Sequence, residues 1–347
     1  MKKIYLREKQ ISIIGNGFEK DIGQGVNKCC GYLYDGLKSN NNINKVEIPS
    51  DESKSSMFYW SSLGVFKKTF MLKSSLYHYT IPNMAWTSII KRPSIVTFYD
   101  VIPLILKNER KLSYNLYFKF MAWFSKRANH IIAISESTKQ DLIRLLNVPK
   151  ERITVIYPGV DHKIFYPKET QKNKRFTVGF LGGLVKRKNA GILLDVARLL
   201  PEIDFKIGGS GLGFMELMKK RDRMNLKNVK LMGFIPNEEL NNFYNSLDVF
   251  IAPTIYDGFC MPGLEAMSAG TPVILSDRSA HLEVVGKAGT TINPKSVIEI
   301  VETILKIKDD DDIQIKMGKE CLEHSMNFSW EKNIKETYEL YERIMNG

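Results

Sequence analysis

Short apolar runs alternate with helical patterns along the whole 347-residue chain, and this alternation constrains the fold most strongly. Each run is apolar on both faces and bounded by turn residues, as expected of a parallel strand that is covered by helices on both sides. The clearest runs predict strands at Ile95–Phe98, Ile131–Ile134, Thr154–Ile156, Thr177–Leu181, Phe205–Ile207, Val249–Ile251 and Pro272–Leu275. The sequence therefore predicts an α/β fold built on parallel sheets.

The length of the chain favours two domains, each large enough to bury its own core. A turn at Tyr157-Pro158-Gly159 and a polar, Lys-rich stretch that runs to Arg175 indicate the boundary. We expect an N-terminal domain over residues 1–165 and a C-terminal domain over residues 175–328. Residues 329–347 have the spacing of a terminal helix that could cross back to the first domain.

The positive charge of the chain lies in its N-terminal half. Residues 1–170 contain 26 Lys and Arg against 14 Asp and Glu, which accounts for the whole net charge of +12. Such asymmetry indicates an anionic partner for this half, namely nucleic acid, a membrane surface or a phosphorylated acceptor. The alternative is a basic surface that serves only solubility.

Nothing in the sequence indicates secretion or a membrane span. Charged residues interrupt the N-terminus, and no window reaches the ~18 apolar residues of a spanning helix. The four cysteines form neither a disulfide framework nor a zinc-binding pattern. We therefore expect an intracellular protein, either free in the cytoplasm or peripheral at the cytoplasmic membrane face.

Two carboxylates flank a glycine-rich turn in the stretch Asp257-Gly258-Phe259-Cys260-Met261-Pro262-Gly263-Leu264-Glu265. A predicted strand ends shortly before Asp257, and a helix is expected from Leu264 to Ala269, ended by Gly270. Backbone N–H groups at such a turn and helix start face an anion.

This stretch resembles the signature of glycosyltransferase family 4, in which an acidic residue precedes Gly-Phe-Gly-x-Pro and a Glu follows eight positions after that acid. Asp257 replaces the usual Glu, and Cys260 replaces the usual Gly. The resemblance covers residues 95–345 well and the first ninety or so poorly. Its other segments are Phe180–Gly183 with Lys188-Asn189, Val229–Pro236, Ile132–Lys139 and Ile153–Asp161.

The resemblance implies a GT-B fold, in which two Rossmann-like domains face one cleft. It also implies a retaining transfer of a hexose, mannosyl or glucosyl, from a UDP- or GDP-linked sugar to a glycan or a polyprenyl-linked acceptor. The family works without a metal ion or another cofactor, so cations and helix ends of the protein would compensate the charge of the leaving diphosphate.

The donor phosphates are assigned to the loop after the strand Thr177–Leu181. Lys188 is the candidate cation, helped by the backbone N–H groups of Gly182 and Gly183 and by Arg187 or Lys186. The family often has an Arg where Gly183 stands, which leaves the choice between Arg187 and Lys186 open. The alternative for the Lys-Arg-Lys run is a solvated turn.

The two carboxylates receive separate roles. Glu265 is the candidate for the ribose hydroxyls, because a carboxylate accepts two vicinal O–H groups. Asp257 is the candidate for the hydroxyls of the transferred sugar, placed by the turn at Gly258 and Phe259. Taken singly, Glu265 could be a helix-start carboxylate and Asp257 an ordinary turn residue.

The first domain offers fewer candidates. Gly23 and Gly25 precede a helical pattern and would let the backbone approach the diphosphate or the sugar, whereas Gly15-Asn16-Gly17 is interpreted as a turn. Asp100 follows a predicted strand end, where ligands bind in open α/β sheets. Many family members have His-Asp there, and Tyr99 replaces that His. His78 is interpreted as a packed residue.

Residues 107–127 combine six basic side chains and one acid with interleaved aromatics. This pattern suits a helix that packs one face and offers basic and aromatic groups to an anionic membrane. The alternative is a core helix with a basic outer face. The apolar side chains that we assign to this segment are Tyr114, Tyr117, Phe118, Met121, Trp123 and Phe124.

Two other functions remain open from the sequence. A sugar-nucleotide epimerase or a phosphorylase of GT-B fold would share the donor motifs. A basic nucleic-acid-binding module would share the charge, but the chain carries no known nucleic-acid motif, so we expect no nucleic-acid partner.

Overall fold

The computed structural model describes residues 9–18, 25–39, 42–49, 59, 63–107, 109, 111–169 and 174–346. The chain forms two compact units. Unit 1 combines the residues up to Gly159 with Trp330–Gly347, and unit 2 spans Val160–Ser329. Among the described helices, none is long and apolar enough to cross a membrane.

The described part of unit 1 contains a six-stranded parallel sheet in the order β2-β1-β3-β4-β5-β6. Its strands are β1 Ile11–Gly15, β2 Ile43–Glu47, β3 Leu76–Tyr79, β4 Ser94–Phe98, β5 His130–Ala133 and β6 Ile153–Val155. Four of them are buried along their whole length, because helices cover both faces of the sheet.

The helices of unit 1 that precede its boundary are α1 Gly25–Leu37, α2 Val65–Phe70, α3 Ile102–Ile105, α4 Leu112–Ser125 and α5 Glu136–Leu146, with 3₁₀ helices at Pro82–Ile89 and Lys150–Arg152. The strand order reverses between β1 and β3. The carboxyl ends of these strands, at Gly15 and Tyr79, therefore flank the position where open α/β sheets bind ligands.

The described part of unit 2 contains a second six-stranded parallel sheet, in the order β12-β11-β10-β7-β8-β9. Its strands are β7 Thr177–Leu181, β8 Asp204–Gly208, β9 Val229–Gly233, β10 Val249–Ala252, β11 Val273–Ser276 and β12 Thr290–Ile292. Here the strand order reverses between β7 and β10, so the loops that follow Leu181 and Ala252 meet at the switch point.

The helices of unit 2 are α6 Ile192–Leu199, α7 Phe214–Arg223, α8 Asn237–Asn245, α9 Met261–Ser268, α10 His281–Val285, α11 Val297–Lys308 and α12 Asp311–Ser325, with a 3₁₀ turn at Lys186–Lys188. Helix α9 begins three residues before the predicted Leu264, since Pro262 in its first turn fits a helix start. Gly270 follows it with φ +74°.

The last helix, α13 Trp330–Asn346, packs on α1 within unit 1. The ring of Trp330 stacks on Tyr32 with the centroids 4.6 Å apart. Deeper in the unit, the Tyr341 hydroxyl lies 2.5 Å from Nδ1 of His78. Burial lowers the pKa of His78 to about 3, so its neutral ring is a packed structural group.

The parallel α/β fold predicted from the sequence is confirmed. All seven predicted strands are present, each within two residues of its expected bounds. The strands β1, β2, β3, β9 and β12 are not among those seven, although β9 lies in the segment Val229–Pro236 that the family resemblance covers. Because β1 ends at Gly15, the residues Gly15-Asn16-Gly17 begin the β1–α1 connection instead of forming an independent turn, and Gly25 is the first residue of α1.

Candidate functional site

Two glycine-rich loops meet at the carboxyl edge of the unit 2 sheet, after β7 and after β8. The Leu184 N–H donates to the Ser210 carbonyl at 2.8 Å, and the Gly213 N–H donates to the Leu184 carbonyl at 2.9 Å. Gly209 has φ +130°, and a Cβ there would lie 1.8 Å from the Gly182 carbonyl oxygen. The close contact of the loops therefore requires glycine at this position.

The second of these loops is a part of the site that the sequence analysis missed. Its run Gly208-Gly209-Ser210-Gly211-Leu212-Gly213 directly follows a strand, which is a recognisable signal for a loop that approaches a ligand or another backbone. At Gly183, in contrast, a Cβ would meet no atom within 4 Å. Packing alone therefore does not explain the glycine at 183.

The centre of the site is the buried carboxylate of Asp257, in the loop after β10. Lys188 Nζ forms an ion pair with its Oδ2, and Arg187 Nη1 lies 3.1 Å from its Oδ1. Arg187 also donates to the Tyr256 carbonyl at 3.2 Å, whereas Lys186 in the same turn is exposed. Of the two candidates left open for the phosphates, Arg187 contacts the Asp257 carboxylate and Lys186 is exposed.

A third basic group faces Asp257 from helix α10. The ring of His281 is fully buried, and its Nε2 lies 3.9 Å from Oδ2 of Asp257. Burial alone would raise the pKa of Asp257, but Lys188, His281 and Arg187 outweigh burial and hold this pKa well below its usual range. The carboxylate is therefore ionised at every physiological pH.

The pKa of His281 is shifted in the opposite direction. Burial lowers its pKa, but the Cys260 sulfur and the Asp257 carboxylate raise it to about 9. The Ser276 N–H lies 3.4 Å from Nδ1, a long contact that only a neutral ring could accept. The Cys260 sulfur and the Asp257 carboxylate together outweigh burial, so the pKa of His281 is raised.

The second carboxylate, Glu265, is buried in the middle of α9. The hydroxyl of the fully buried Tyr244 on α8 donates to its Oε2 at 2.7 Å. Burial and the negative charge of Glu265 raise the pKa of Tyr244 far above its usual value, so the hydroxyl remains a donor. A buried Tyr thereby fixes the orientation of Glu265.

The turn between the two carboxylates is rigidly held. The Asp257 N–H donates to Oγ of Ser279 at 3.0 Å, and Ser279 itself adopts φ +48°. Gly258 is buried, and the buried ring of Phe259 packs edge-on against Phe328 at 6.0 Å. These contacts fix the backbone that carries Asp257.

The remaining predicted residues lie elsewhere. Asp100 belongs to unit 1, where its Oδ1 accepts the Ile102 N–H at 3.0 Å at the start of α3. Gly25 is exposed at the start of α1 in the same unit, and Gly23 lies outside the described residues. The structure thus brings Asp257, Lys188 and Arg187 into direct contact, with Gly182 and Gly183 in the loop beside them, and places Asp100 and Gly25 in the other unit.

Family comparisons match both units. The family described as "Glycosyl transferases group 1" matches residues 162–324, and the one described as "Glycosyltransferase Family 4" matches residues 45–164. The chain belongs to glycosyltransferase family 4. It is therefore an enzyme that transfers glycosyl groups.

One relative of this family 4 glycosyltransferase is O-antigen chain mannosyltransferase B from Escherichia coli. The two are 30% identical over 235 residues, which covers 62% of this chain and 61% of the relative's length. Among solved structures, sucrose-phosphate synthase from Thermosynechococcus elongatus matches with a TM-score of 0.84, 19% identity and coverage of 98% of this chain and all of that one.

A second solved structure is HepE from Anabaena in complex with UDP-glucose. It matches with a TM-score of 0.78 and 17% identity over 96% of this chain and 99% of that one. These likenesses support the GT-B fold for the family 4 chain. The family's usual first acid, Glu, is Asp257 here, and the shorter side chain lies beside the buried His281.

Proposed function

We propose that this glycosyltransferase transfers a glucosyl or mannosyl group from a nucleoside-diphosphate sugar, with retention of anomeric configuration, and binds the donor in unit 2. The observation that carries the proposal is the buried Asp257 cluster at the switch point of the sheet. Two permanent cations, Lys188 and Arg187, surround one carboxylate beside two glycine-rich loops. The cluster therefore has an excess of positive charge at the position where donors bind in open α/β sheets.

The excess charge suits the leaving diphosphate. As the bond from the sugar to the phosphate breaks, negative charge accumulates on the phosphate oxygens, and preorganised cations stabilise it. Lys188 is held in place by Asp257, so it needs little reorganisation during the reaction. The neighbouring loop at Gly182 and Gly183 adds backbone N–H donors. We infer that these groups replace a metal ion.

We assign the remaining parts of the donor to Glu265 and Asp257. Tyr244 already donates to Glu265, which orients its carboxylate for the ribose hydroxyls. We assign Asp257, on the rigid turn, to the hydroxyls of the transferred sugar. A HepE structure contains UDP-glucose, and a relative is a mannosyltransferase, so UDP-glucose and GDP-mannose are the donors to test first.

We assign the acceptor to unit 1, with a lipid-linked acceptor at an anionic membrane as the preferred class. Support comes from the charge of this half and from helix α4. Its exposed face carries Lys111 and Lys119 together with Leu112, Leu116, Phe120 and Trp123. Apolar and basic groups on one face are typical of a helix that lies on a membrane. Asp100 and the glycines of the β1–α1 connection are the candidate acceptor-side residues.

The burial of its side chains shows which of them form the packed face of this helix. Phe118 and Met121 are buried, so they cannot contact a membrane, and Phe120 is exposed in their place. Lys126 donates to the Leu146 carbonyl at 2.7 Å, which ties it to the end of α5. Arg110 lies outside the described residues.

The decisive experiment incubates the full chain with labelled UDP-glucose or GDP-mannose, membrane lipid extract and EDTA. We expect a labelled lipid product, whose linkage has the anomeric configuration of the donor by NMR. An epimerised nucleotide sugar without transfer would contradict the proposal, and so would a requirement for Mg²⁺ or Mn²⁺.

A further inference from the structure

A basic depression opens at the amino edge of the unit 1 sheet, opposite the edge assigned to the acceptor. It has a volume of about 620 Å³ and is lined by residues that precede β1, β3 and β4. Three of them are Lys73, Lys91 and Arg92. Among the described lining residues every charged side chain is basic, so the depression suits an anion.

Two of these cations are fixed in place by the backbone. Lys91 Nζ donates to the Phe70 carbonyl at 2.7 Å and to the Leu72 carbonyl at 3.0 Å. Arg92 donates to the Arg127 carbonyl at 3.1 Å. Lys73 is exposed at the rim. The positive charge is therefore concentrated at one place and does not depend on mobile side chains alone.

Exposed apolar residues line the depression or adjoin its lining residues in the sequence. Met71 has 82% of its surface exposed, Ile90 has 62% and Phe70 has 58%. Single exposed apolar residues are common, but here Ile90 lines the basic depression, and Phe70 and Met71 directly precede its lining residue Leu72. A soluble anion would gain nothing from these side chains, whereas the acyl region of a bilayer would bury them.

The same surface continues onto helix α4. The Arg127 guanidinium lies 3.5 Å from the centroid of the Trp123 ring, and Arg92 donates to the carbonyl of the same Arg127. Trp123 begins the exposed stripe that runs back through Phe120, Leu116 and Leu112. The depression thus lies at the end of an exposed apolar stripe with basic neighbours.

We propose that this depression binds the phosphate headgroup of an anionic lipid while Met71, Ile90 and Phe70 enter the adjoining acyl region. The proposal deepens, and rests on, the membrane partner proposed above for unit 1. Charge complementarity selects an anionic bilayer as the occupant, and the exposed aliphatic side chains favour it over a nucleic acid. The depression would fix the orientation of unit 1 on the membrane through a site separate from the one assigned to the sugar acceptor.

The test measures binding of the full chain to phosphatidylglycerol-containing vesicles and to pure phosphatidylcholine vesicles by co-sedimentation. The double variant Lys73→Gln/Ile90→Ser is compared with a matched control in unit 2, Lys316→Gln/Ile315→Ser, in which Ile315 is 70% exposed. Loss of Lys73 alone should weaken binding to the anionic vesicles about fivefold, the contribution of one cation near a membrane. The double variant should weaken it by more than tenfold, and the control by less than twofold.

Three results would overturn the proposal. The first is an equal loss in the control variant. The second is full competition by glycerol phosphate in solution at constant ionic strength, which would identify a site for a free phosphate compound. The third is a dimer in sedimentation velocity that Lys73→Gln/Ile90→Ser abolishes, with no vesicle binding by either protein, since the face would then bind a second copy of the chain.

The same variants are assayed for UDP and GDP binding without vesicles, which separates this proposal from the donor assignment. Normal nucleotide binding with reduced vesicle binding supports the headgroup site. Nucleotide binding that falls as much as vesicle binding would show general damage to the protein and contradict a local role. A wild-type chain that binds vesicles but no nucleotide would refute the donor site alone.

Discussion

The two units have the same architecture, but their candidate functional groups are distributed differently. Each has a six-stranded parallel sheet with a reversal of strand order at its centre, counted over the described residues. In unit 2, Lys188 and Arg187 contact the buried Asp257, and residues 171–347, which include most of this unit, have no net charge. In unit 1 the charge lies on the surface, on α4 and at the amino edge of the sheet. A buried cluster suits a small, fixed donor, and a charged surface suits a large partner.

Replacement of Lys188 should produce the largest effect. Lys188→Ala removes the cation that we assign to the developing phosphate charge, and we expect turnover to fall about 10²- to 10³-fold, as for other lost electrostatic donors. The exposed neighbour Lys186→Ala is the matched control and should change turnover less than threefold. If Asp100→Asn in unit 1 weakened donor binding as much as Lys188→Ala does, the assignment of the donor to unit 2 would be wrong.

Replacement of Glu265 should come next. Glu265→Ala removes charged hydrogen bonds worth about 1.5–3 kcal/mol each, so the donor Kd should rise on the order of tenfold or more. The loss should be specific to ribose, so the variant should bind UDP and 2′-deoxy-UDP with nearly equal affinity. Calorimetric titration measures both values, and an unchanged preference for the ribonucleotide would remove Glu265 from the ribose site.

Tyr244→Phe tests the role of the Glu265 carboxylate with a smaller change. The variant keeps the buried ring and loses only the hydrogen bond to Glu265, so we expect a several-fold rise in donor KM with kcat almost unchanged. A partial loss of ribose discrimination should accompany it, because Glu265 is less well oriented. A general loss of stability would instead weaken ribose and deoxyribose nucleotides equally, and thermal denaturation without ligand reports that loss separately.

The smallest effect concerns stability and pH. The folded pKa of His281, about 9, exceeds its unfolded value of 6.5, so the protonated ring stabilises the fold fully below pH 6.5 and loses this contribution as the pH rises through 9. His281→Gln should therefore lower Tm by several degrees at pH 6, and the difference should shrink above pH 9. A difference in Tm that stays constant from pH 6 to pH 10 would mean that His281 is neutral in the fold.

The sequence predicted unit 2 better than unit 1, and the reason is physical. In unit 2 the binding groups depend on short-range features, a strand, a glycine turn and a helix start, which leave a signal in consecutive residues such as 257–265. The β1, β2 and β3 strands of unit 1 are separated by long connections, and their pairing is not local. The local sequence therefore favours a turn at Gly15-Asn16-Gly17, although Gly15 is the last residue of β1.

Contacts between residues that are distant in sequence explain the other differences between the sequence-based predictions and the structure. Nothing in the sequence places His281 beside Asp257 or Tyr244 beside Glu265, because each pair is joined only by the packing of a helix on the sheet. The same holds for the face of α4. The pattern predicts a helix with one packed face and one face that offers basic and aromatic groups, but tertiary packing decides that Phe118 is buried and Phe120 is exposed.

The most direct test of donor binding in unit 2 is hydrogen–deuterium exchange of the full chain with and without UDP-glucose or GDP-mannose, in EDTA. We expect protection in peptides that cover residues 182–188 and 257–265 and no change in α4. The same protection should weaken strongly in Lys188→Ala. Protection confined to unit 1, or protection that appears only after Mg²⁺ is added, would contradict a metal-independent donor site built on Asp257, Lys188 and Glu265.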